Sequence, residues 1–217
     1  MISRLHYITQ GIPNFTHYEL AEEACKGGAS WIQLRVKNTS YKVWEELAYK
    51  TKEVCKNYNV KLIINDNVEI AKTVNANGVH LGKNDMPPAE ARKILGSDFI
   101  IGGTANTFAD IKRLGLTGVD YIGVGPFRFT TTKEKLSPVL GLDGYKRILN
   151  MCRCEDIKIP IIAIGGIRPD DISSLFQTGI YGIAVSSAIN LAKDKALMTR
   201  QFLEIISKQN GTINNCK

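Results

Sequence analysis

Residues 161–189, IIAIGGIRPDDISSLFQTGIYGIAVSSAI, read as two consecutive strand-then-helix units whose strands end in small residues. The apolar run at 161–164 has the character of a parallel strand buried on both faces. It stops at Gly165-Gly166, where missing side chains let an anion approach the backbone. Pro169, Asp170 and Asp171 suit the first turn of the following helix, and Gly179 closes it. The pattern repeats with a run at 180–185 and Ser186-Ser187-Ala188 at its carboxyl end. Amide donors and helix N-termini paired in this way are chemistry for holding a phosphate, although tight turns in an ordinary α/β sheet account for the glycines as well.

Other groups point to anions too. Alternation along QLRVK at 33–37 puts Gln33, Arg35 and Lys37 on one strand face, and inward cations need either an anionic ligand or a core carboxylate. Asn65-Asp66 and the run GVHLGKND at 78–85 place Asp66 and Asp85 at the ends of adjacent strands. Two carboxylates beside cationic phosphate ligands suit Mg²⁺, a hard ion that bridges protein and diphosphate oxygens. Asn65-Asp66-Asn67 reads equally as a helix cap. His80 reads as a hydrogen-bonded core histidine, and three histidines without ligand spacing argue against zinc, as does the lone Cys152-Arg-Cys154 pair. After Gly123-Val124-Gly125-Pro126, the hydroxyls and ammonium of Thr130, Thr131, Thr132 and Lys133 suit a closing anion clamp or a solvated loop. The stretch 129–138 is the longest loop and reads as a lid.

Positioning these groups requires regular elements. Apolar runs recur at 5–9, 31–36, 61–65, 78–81, 99–102, 121–124, 161–164 and 180–185. They alternate with helix-prone segments at 19–26, 41–58, 68–74, 88–95, 108–114, 144–151, 169–177 and 195–208. This alternation predicts parallel strands with right-handed crossovers in a single-domain (β/α)8 TIM barrel. An open doubly wound sheet is disfavoured by the first turn, Gln10-Gly11-Ile12-Pro13, which lacks G-x-G-x-x-G. One barrel domain is expected at 1–208, with a frayed tail at 209–217.

Composition narrows the classes further. With 44% hydrophobic and 23% charged residues in 217, the chain is neither disordered nor fibrous, and its apolar runs are too short to cross a membrane. MISRLHYIT lacks the apolar stretch of a secretory signal, and five scattered cysteines fit reduced thiols, so the expected location is cytoplasmic. The net charge of +7 includes no dense basic run and no interleaved aromatics, which favours small phosphorylated substrates over nucleic acid.

Six segments share an order and spacing that span most of the chain. They are QLRVK at 33–37, IINDN at 63–67, GVHLGKND at 78–85, GVGPFRFTTTK at 123–133, IAIGGI at 162–167 and GIAVSSAI at 182–189. Together they resemble the thiamine-phosphate synthase family, which includes the related thiazole tautomerases. The resemblance implies a barrel that joins hydroxymethylpyrimidine diphosphate to thiazole phosphate, after diphosphate departs and leaves a stabilised pyrimidine methyl cation. It assigns Arg35, Lys37, Asn65 and Lys133 to the diphosphate, Arg35, Lys37 and Lys133 being the catalytic cations, and Asp66 and Asp85 to Mg²⁺. Gln33 falls on a pyrimidine contact. Thr130, Thr132, Gly165, Gly166, Ser186 and Ser187 fall on the thiazole-phosphate side.

The chain departs from the family pattern at three places. Lys83 stands where Gln is usual, beside Asp85 and thus expected to compete with Mg²⁺ for its carboxylate. Thr104-Ala105-Asn106 replaces Ser-x-His, and Gln10 replaces an acidic residue. Thr104 keeps a hydroxyl for ligand binding, whereas Asn106 cannot transfer a proton as a tautomerase would require. The expected activity is therefore the synthase, with a tautomerase or a non-catalytic binder of the same phosphates as alternatives. The expected partners are small phosphorylated substrates, without nucleic acid or membrane, and a homo-oligomer is left open.

Overall fold

Short runs of apolar, largely β-branched residues are stable as strands once both faces are covered, and here the connecting helices supply the outer cover. The computed structural model describes residues 1–129 and 138–209. Among these, eight parallel strands lie edge to edge: β1 (Leu5–Ile8), β2 (Trp31–Leu34), β3 (Lys61–Asn65), β4 (Gly78–Leu81), β5 (Ile100–Ala105), β6 (Tyr121–Val124), β7 (Ile161–Ile164) and β8 (Gly182–Val185). β8 pairs with β1, Ala184 opposite His6, so the sheet closes in strict chain order. The described helices are α1 (His17–Lys26), α2 (Tyr41–Asn57), α3 (Val68–Thr73), α4 (Pro88–Leu95), α5 (Phe108–Gly115), α6 (Gly141–Cys154), α7 (Ile172–Gln177), α8 (Ser187–Asn190) and α9 (Lys195–Lys208). The chain is a (β/α)8 barrel, as its alternating periods predict. No helix among the described residues is long and apolar enough to cross a membrane.

Side chains alternate along each strand, so one set packs under the helices and the other fills the barrel. The inner set is Ile8, Trp31, Ile63, Tyr121, Ile162 and Ala184. His6 joins it, stacked on Trp31 with ring centroids 4.2 Å apart, and Tyr121 stands edge-on to that stack. Tyr121 pairs in register with Gly102, where an added Cβ would come 2.2 Å from the tyrosine Cζ. Gly102 is therefore a space for a ring, and Gly103 is likewise a space for Leu114, whose Cδ2 would lie 2.9 Å from a Cβ.

These spaces explain where sequence expectation and structure differ. The apolar run predicts a strand at 99–102, yet β5 runs from Ile100 to Ala105, its two glycines filled from neighbouring elements. β2 ends at Leu34, which leaves Arg35 and Lys37 on the loop beyond the ladder instead of on an alternating strand face. β8 starts at Gly182, two residues later than expected. Helix α6 reaches further in both directions than 144–151, with Gly144 packed against Leu140 at its start. Pro169–Asp171 forms a 3-10 turn before α7. Of the expected lid and tail, residues 130–137 and 210–217 lie outside the described residues.

All strands run the same way, so their carboxyl ends and the helix N-termini share one rim. Side-chain caps set those starts: Thr16 with Glu19 for α1, Ser40 for α2, Asn67 for α3, and Thr107 with Asp110 for α5. The close fit of Tyr121 gives a stability prediction. Gly102→Ala should destabilise the fold by about 2 kcal/mol or more in urea unfolding, as overpacking does. Gly11→Ala, where nothing lies within 4 Å of the added carbon, should stay within about 0.5 kcal/mol of the parent.

Candidate active site at the barrel mouth

Where β2, β3 and β4 end, charged side chains meet. Lys37 donates its ammonium to the Asp66 carboxylate. Asp66 also hydrogen-bonds Asp85, whose Oδ2 accepts the Gly82 N–H at 2.6 Å. A side chain at residue 82 would press on that oxygen, since a Cβ there would lie 2.9 Å from it. Asp66 itself takes a left-handed φ of 67°, and its N–H donates to the His80 carbonyl at 2.8 Å. This turn separates two jobs that the sequence left open: Asn67 caps α3 through Ile70 N–H at 2.9 Å, and Asp66 turns toward Lys37 and Asp85.

The two carboxyls titrate in opposite directions. Burial resists ionisation of Asp66, but Lys37 and the hydrogen bond with Asp85 outweigh it and hold Asp66 below the ordinary carboxylate value. Burial and then Asp66 raise Asp85. The two carboxyls are coupled, and a small divalent cation between them would offset the charge that each places on the other. Among the described residues no three His, Cys, Asp or Glu side chains gather. Two carboxylates, completed by substrate oxygens and water, are a donor set that Mg²⁺ accepts.

Lys83 does not act as its position beside Asp85 in the sequence predicts. It pairs with Asp110 at 2.6 Å, an almost fully buried carboxylate that also caps α5. Burial opposes ionisation there, yet Lys83, the Asn106 N–H and the Thr107 side chain bring Asp110 down to about 2. Lys83 is therefore held toward α5, leaving Asp85 to Asp66 and Gly82.

Below the charges lies a polar floor. Gln33 donates to Asn65 Oδ1 at 2.7 Å, with both residues buried. His80 bonds Tyr121 OH through Nδ1 and Thr104 Oγ1 through Nε2, each at 3.0 Å, and so is the core histidine that the sequence predicts. Thr104 thus stands at the mouth on a connection that runs down to the aromatic interior. The Asn106 amide donates to the Gly125 carbonyl.

Across the barrel, the β6 and β7 loops are pinned together. Arg128 makes a two-point contact with Asp171 at 3.0 and 2.8 Å and donates to the Gly166 carbonyl at 2.8 Å, while its own N–H donates to Gly165 O at 2.9 Å. Gly165 and Gly166 both adopt positive φ, 106° and 68°. Their missing side chains make room first for protein: a Cβ at Gly165 would lie 2.7 Å from Pro126 Cβ, and one at Gly166 3.1 Å from Arg128 Cβ. The expected open approach for an anion is corrected to that extent. Ser186 accepts from the Asn190 amide at 3.0 Å and faces Gln10 at 3.4 Å, and Ser187 opens α8.

The structure therefore gathers Gln33, Arg35, Lys37, Asn65, Asp66, Asp85 and Thr104 along one arc of the rim, and Gly165, Gly166, Ser186 and Ser187 along the facing arc. Thr130, Thr132 and Lys133 lie outside the described residues. Sequence reading missed Thr9, His17, Arg128, Asp110 and Asp171. Local signals existed for three of them: the Thr16-x-x-Glu19 capping box that sets His17 at the first turn of α1, the Thr107-x-x-Asp110 box that holds Asp110, and the helix-start position of Asp171. Arg128 and Asp171 are 43 residues apart, and no periodicity connects them.

Comparison with known proteins agrees in fold and sequence. A family model described as thiamine monophosphate synthase matches residues 5–189. The thiamine-phosphate synthase of Phocaeicola vulgatus is 50% identical over 201 residues, covering 93% of this chain and 97% of that protein. That of Bacteroides fragilis is 51% identical over 201 residues, covering 93% and 98%. Among solved structures, thiamine phosphate pyrophosphorylase from Pyrococcus furiosus superposes with a TM-score of 0.83 at 32% identity, covering 96% of this chain and 97% of that one. The chain belongs to the thiamine monophosphate synthase family.

Proposed function

We propose that this barrel is a thiamine-phosphate synthase, coupling 4-amino-2-methyl-5-hydroxymethylpyrimidine diphosphate with hydroxyethylthiazole phosphate to give thiamine phosphate and diphosphate. One observation carries the reading beyond family membership. Two anion-suited groups of residues face each other across one mouth, cations with a carboxyl pair on β2–β4 and paired glycines with serines on β7–β8. We place the activity in a single domain, 1–208, in the cytoplasm, where the four described cysteines stay as free thiols.

In this reading Arg35, Lys37, Asn65 and Lys133 hold the diphosphate, and Gln33 orients the pyrimidine. The bond between the pyrimidine methylene and the diphosphate oxygen breaks, with its electron pair leaving on oxygen. The thiazole nitrogen then donates its lone pair to the methylene carbon. The cations stabilise charge as it develops on the leaving group, which is where fixed charge lowers a barrier most. Asp66 and Asp85 would hold Mg²⁺, which supplies further neutralisation of diphosphate oxygens when bound. Gly165, Gly166, Ser186, Ser187, Thr130 and Thr132 hold the thiazole phosphate, and Thr104 contributes a hydroxyl between the two sites. The aromatic interior beneath Gln33 and Asn65 keeps bulk water from the methylene cation on that side.

The reading is tested by supplying purified protein with both substrates and Mg²⁺ and following thiamine phosphate. Product should form, and chelation by EDTA should stop it. Asp66→Ala or Asp85→Ala should lower the rate by about a hundredfold or more, the scale of losing one electrostatic stabiliser, with thiazole-phosphate affinity nearly unchanged. Full turnover in EDTA would remove the metal assignment, and binding without turnover would favour a non-catalytic role.

The facing arc is tested separately. Gly166→Val strains a φ of 68° and drives a branched carbon toward Arg128 and Phe129. Thiazole-phosphate affinity should fall by about tenfold or more, while pyrophosphate binding at Arg35 and Lys37 persists. Separate calorimetric titrations of the two ligands check this, and equal loss of both would show that the sites are misassigned.

A further inference from the structure

The chain has three histidines, and two are sealed into the barrel. His6 lies against Trp31, and burial holds it down to about 3. His80 is bonded through both ring nitrogens. His17 is different: it is half-buried on the rim at the start of α1.

Its surroundings are specific. His17 Nδ1 lies 2.8 Å from Thr9 Oγ1, and the same oxygen accepts the backbone N–H of Arg35 at 3.2 Å. Thr9 N–H in turn donates to Gln33 O at 3.0 Å, which fixes the threonine between the β1 and β2 ends. A hydroxyl has one proton and two lone pairs. It can donate to a neutral imidazole and accept from an imidazolium without moving, so the contact survives either protonation state.

Among the described residues, Arg35 is the charge that acts on the ring. Burial and then Arg35 lower the His17 proton affinity. Three other charges near the start of α1 are engaged elsewhere. Glu19 is turned back onto Thr16, Lys195 of α9 onto the Phe15 ring and the Ala192 carbonyl, and Lys50 of α2 onto Glu46. A polyanion on Arg35 would offset the positive charge that keeps the ring neutral.

We propose that His17 is a positioning residue of the diphosphate site, anchoring the Arg35 backbone through Thr9 and taking up a proton when a polyanion docks on Arg35. The proposal rests on the reading of Arg35 as a diphosphate ligand. Its sign is defined. With proton affinity lower in the free protein than in the complex, the added affinity is present in full below the free value. It disappears as pH rises through the bound value.

The test uses inorganic pyrophosphate and the full chain at a fixed Mg²⁺ concentration. Calorimetric titration at pH 8 and pH 6 compares the wild type with His17→Gln, which keeps a hydrogen-bonding side chain but cannot take the proton. Protonation of pyrophosphate itself is common to both proteins. The wild type should gain about fivefold more affinity than the variant between pH 8 and pH 6, the low end of typical coupling between sites. Parallel pH slopes would overturn the proposal. Imidazole NMR on the wild type gives a second readout that does not depend on the variant folding. The His17 titration midpoint should move upward with saturating pyrophosphate, while an unmoved midpoint, or no pyrophosphate binding, would overturn the proposal. If no thiamine phosphate forms but His17 still responds to pyrophosphate, the activity reading falls and the role of His17 stands.

Discussion

The ring of Tyr121 sets the level at which chemistry begins in this barrel. Packing it into the lumen demands a glycine opposite, and Gly102 supplies the space. It also demands a partner for a buried phenol, which His80 provides at 3.0 Å. Below that contact the lumen is aromatic and aliphatic, and above it stand Gln33, Asn65 and Thr104. His80 links the two layers, so the position of Thr104 at the mouth depends on how the tyrosine packs. Burial of the Tyr121 hydroxyl raises its proton affinity well above the ordinary phenol range, and it remains a fixed hydrogen-bonding group during any turnover near neutral pH.

Charge at the rim is organised as pairs that bridge successive loops. Lys83 crosses from the β4 loop to Asp110 on α5, and Arg128 crosses from the β6 loop to Asp171 before α7. Such partly exposed pairs contribute little to stability, commonly less than about 1 kcal/mol each. Their larger effect is geometric. Arg128 fixes the carbonyls of both Gly165 and Gly166, and Lys83 is kept away from the carboxyl pair. Lys37 is the exception in kind, because its partner Asp66 is also coupled to Asp85 and the three form one electrostatic unit.

Much of this was legible from residue types and spacing. Eight apolar runs alternating with helical segments define the barrel because a parallel strand buried on both faces needs continuous apolar residues. Asp66 and Asp85 stand out because they follow adjacent strands, and the turn at Gly82 after β4 brings Asp85 back to Asp66. What the chain does not display locally is reciprocal packing. Gly102 and Gly103 carry no apolar side chain of their own, and Tyr121 and Leu114 fill them from elsewhere, so β5 is longer than its apolar run. Lys83 is two residues from Asp85, but a capping carboxylate on the next helix holds it instead. Asp171 looks like a helix-start acid and acts as the anchor for an arginine 43 residues earlier. Long-range partner choice of this kind depends on which side chains the closed barrel brings within reach.

The central claim is that two phosphate groups bind on opposite arcs of one mouth, diphosphate over β2–β4 and thiazole phosphate over β7–β8. A crystal structure of the protein with pyrophosphate, Mg²⁺ and hydroxyethylthiazole phosphate tests it most directly. The expected map shows pyrophosphate against Arg35 and Lys37, with the metal on Asp66 and Asp85, and a separate phosphate against Gly165, Gly166 and Ser187. Pyrophosphate on the glycine arc, or a metal bound away from the two aspartates, would contradict the account.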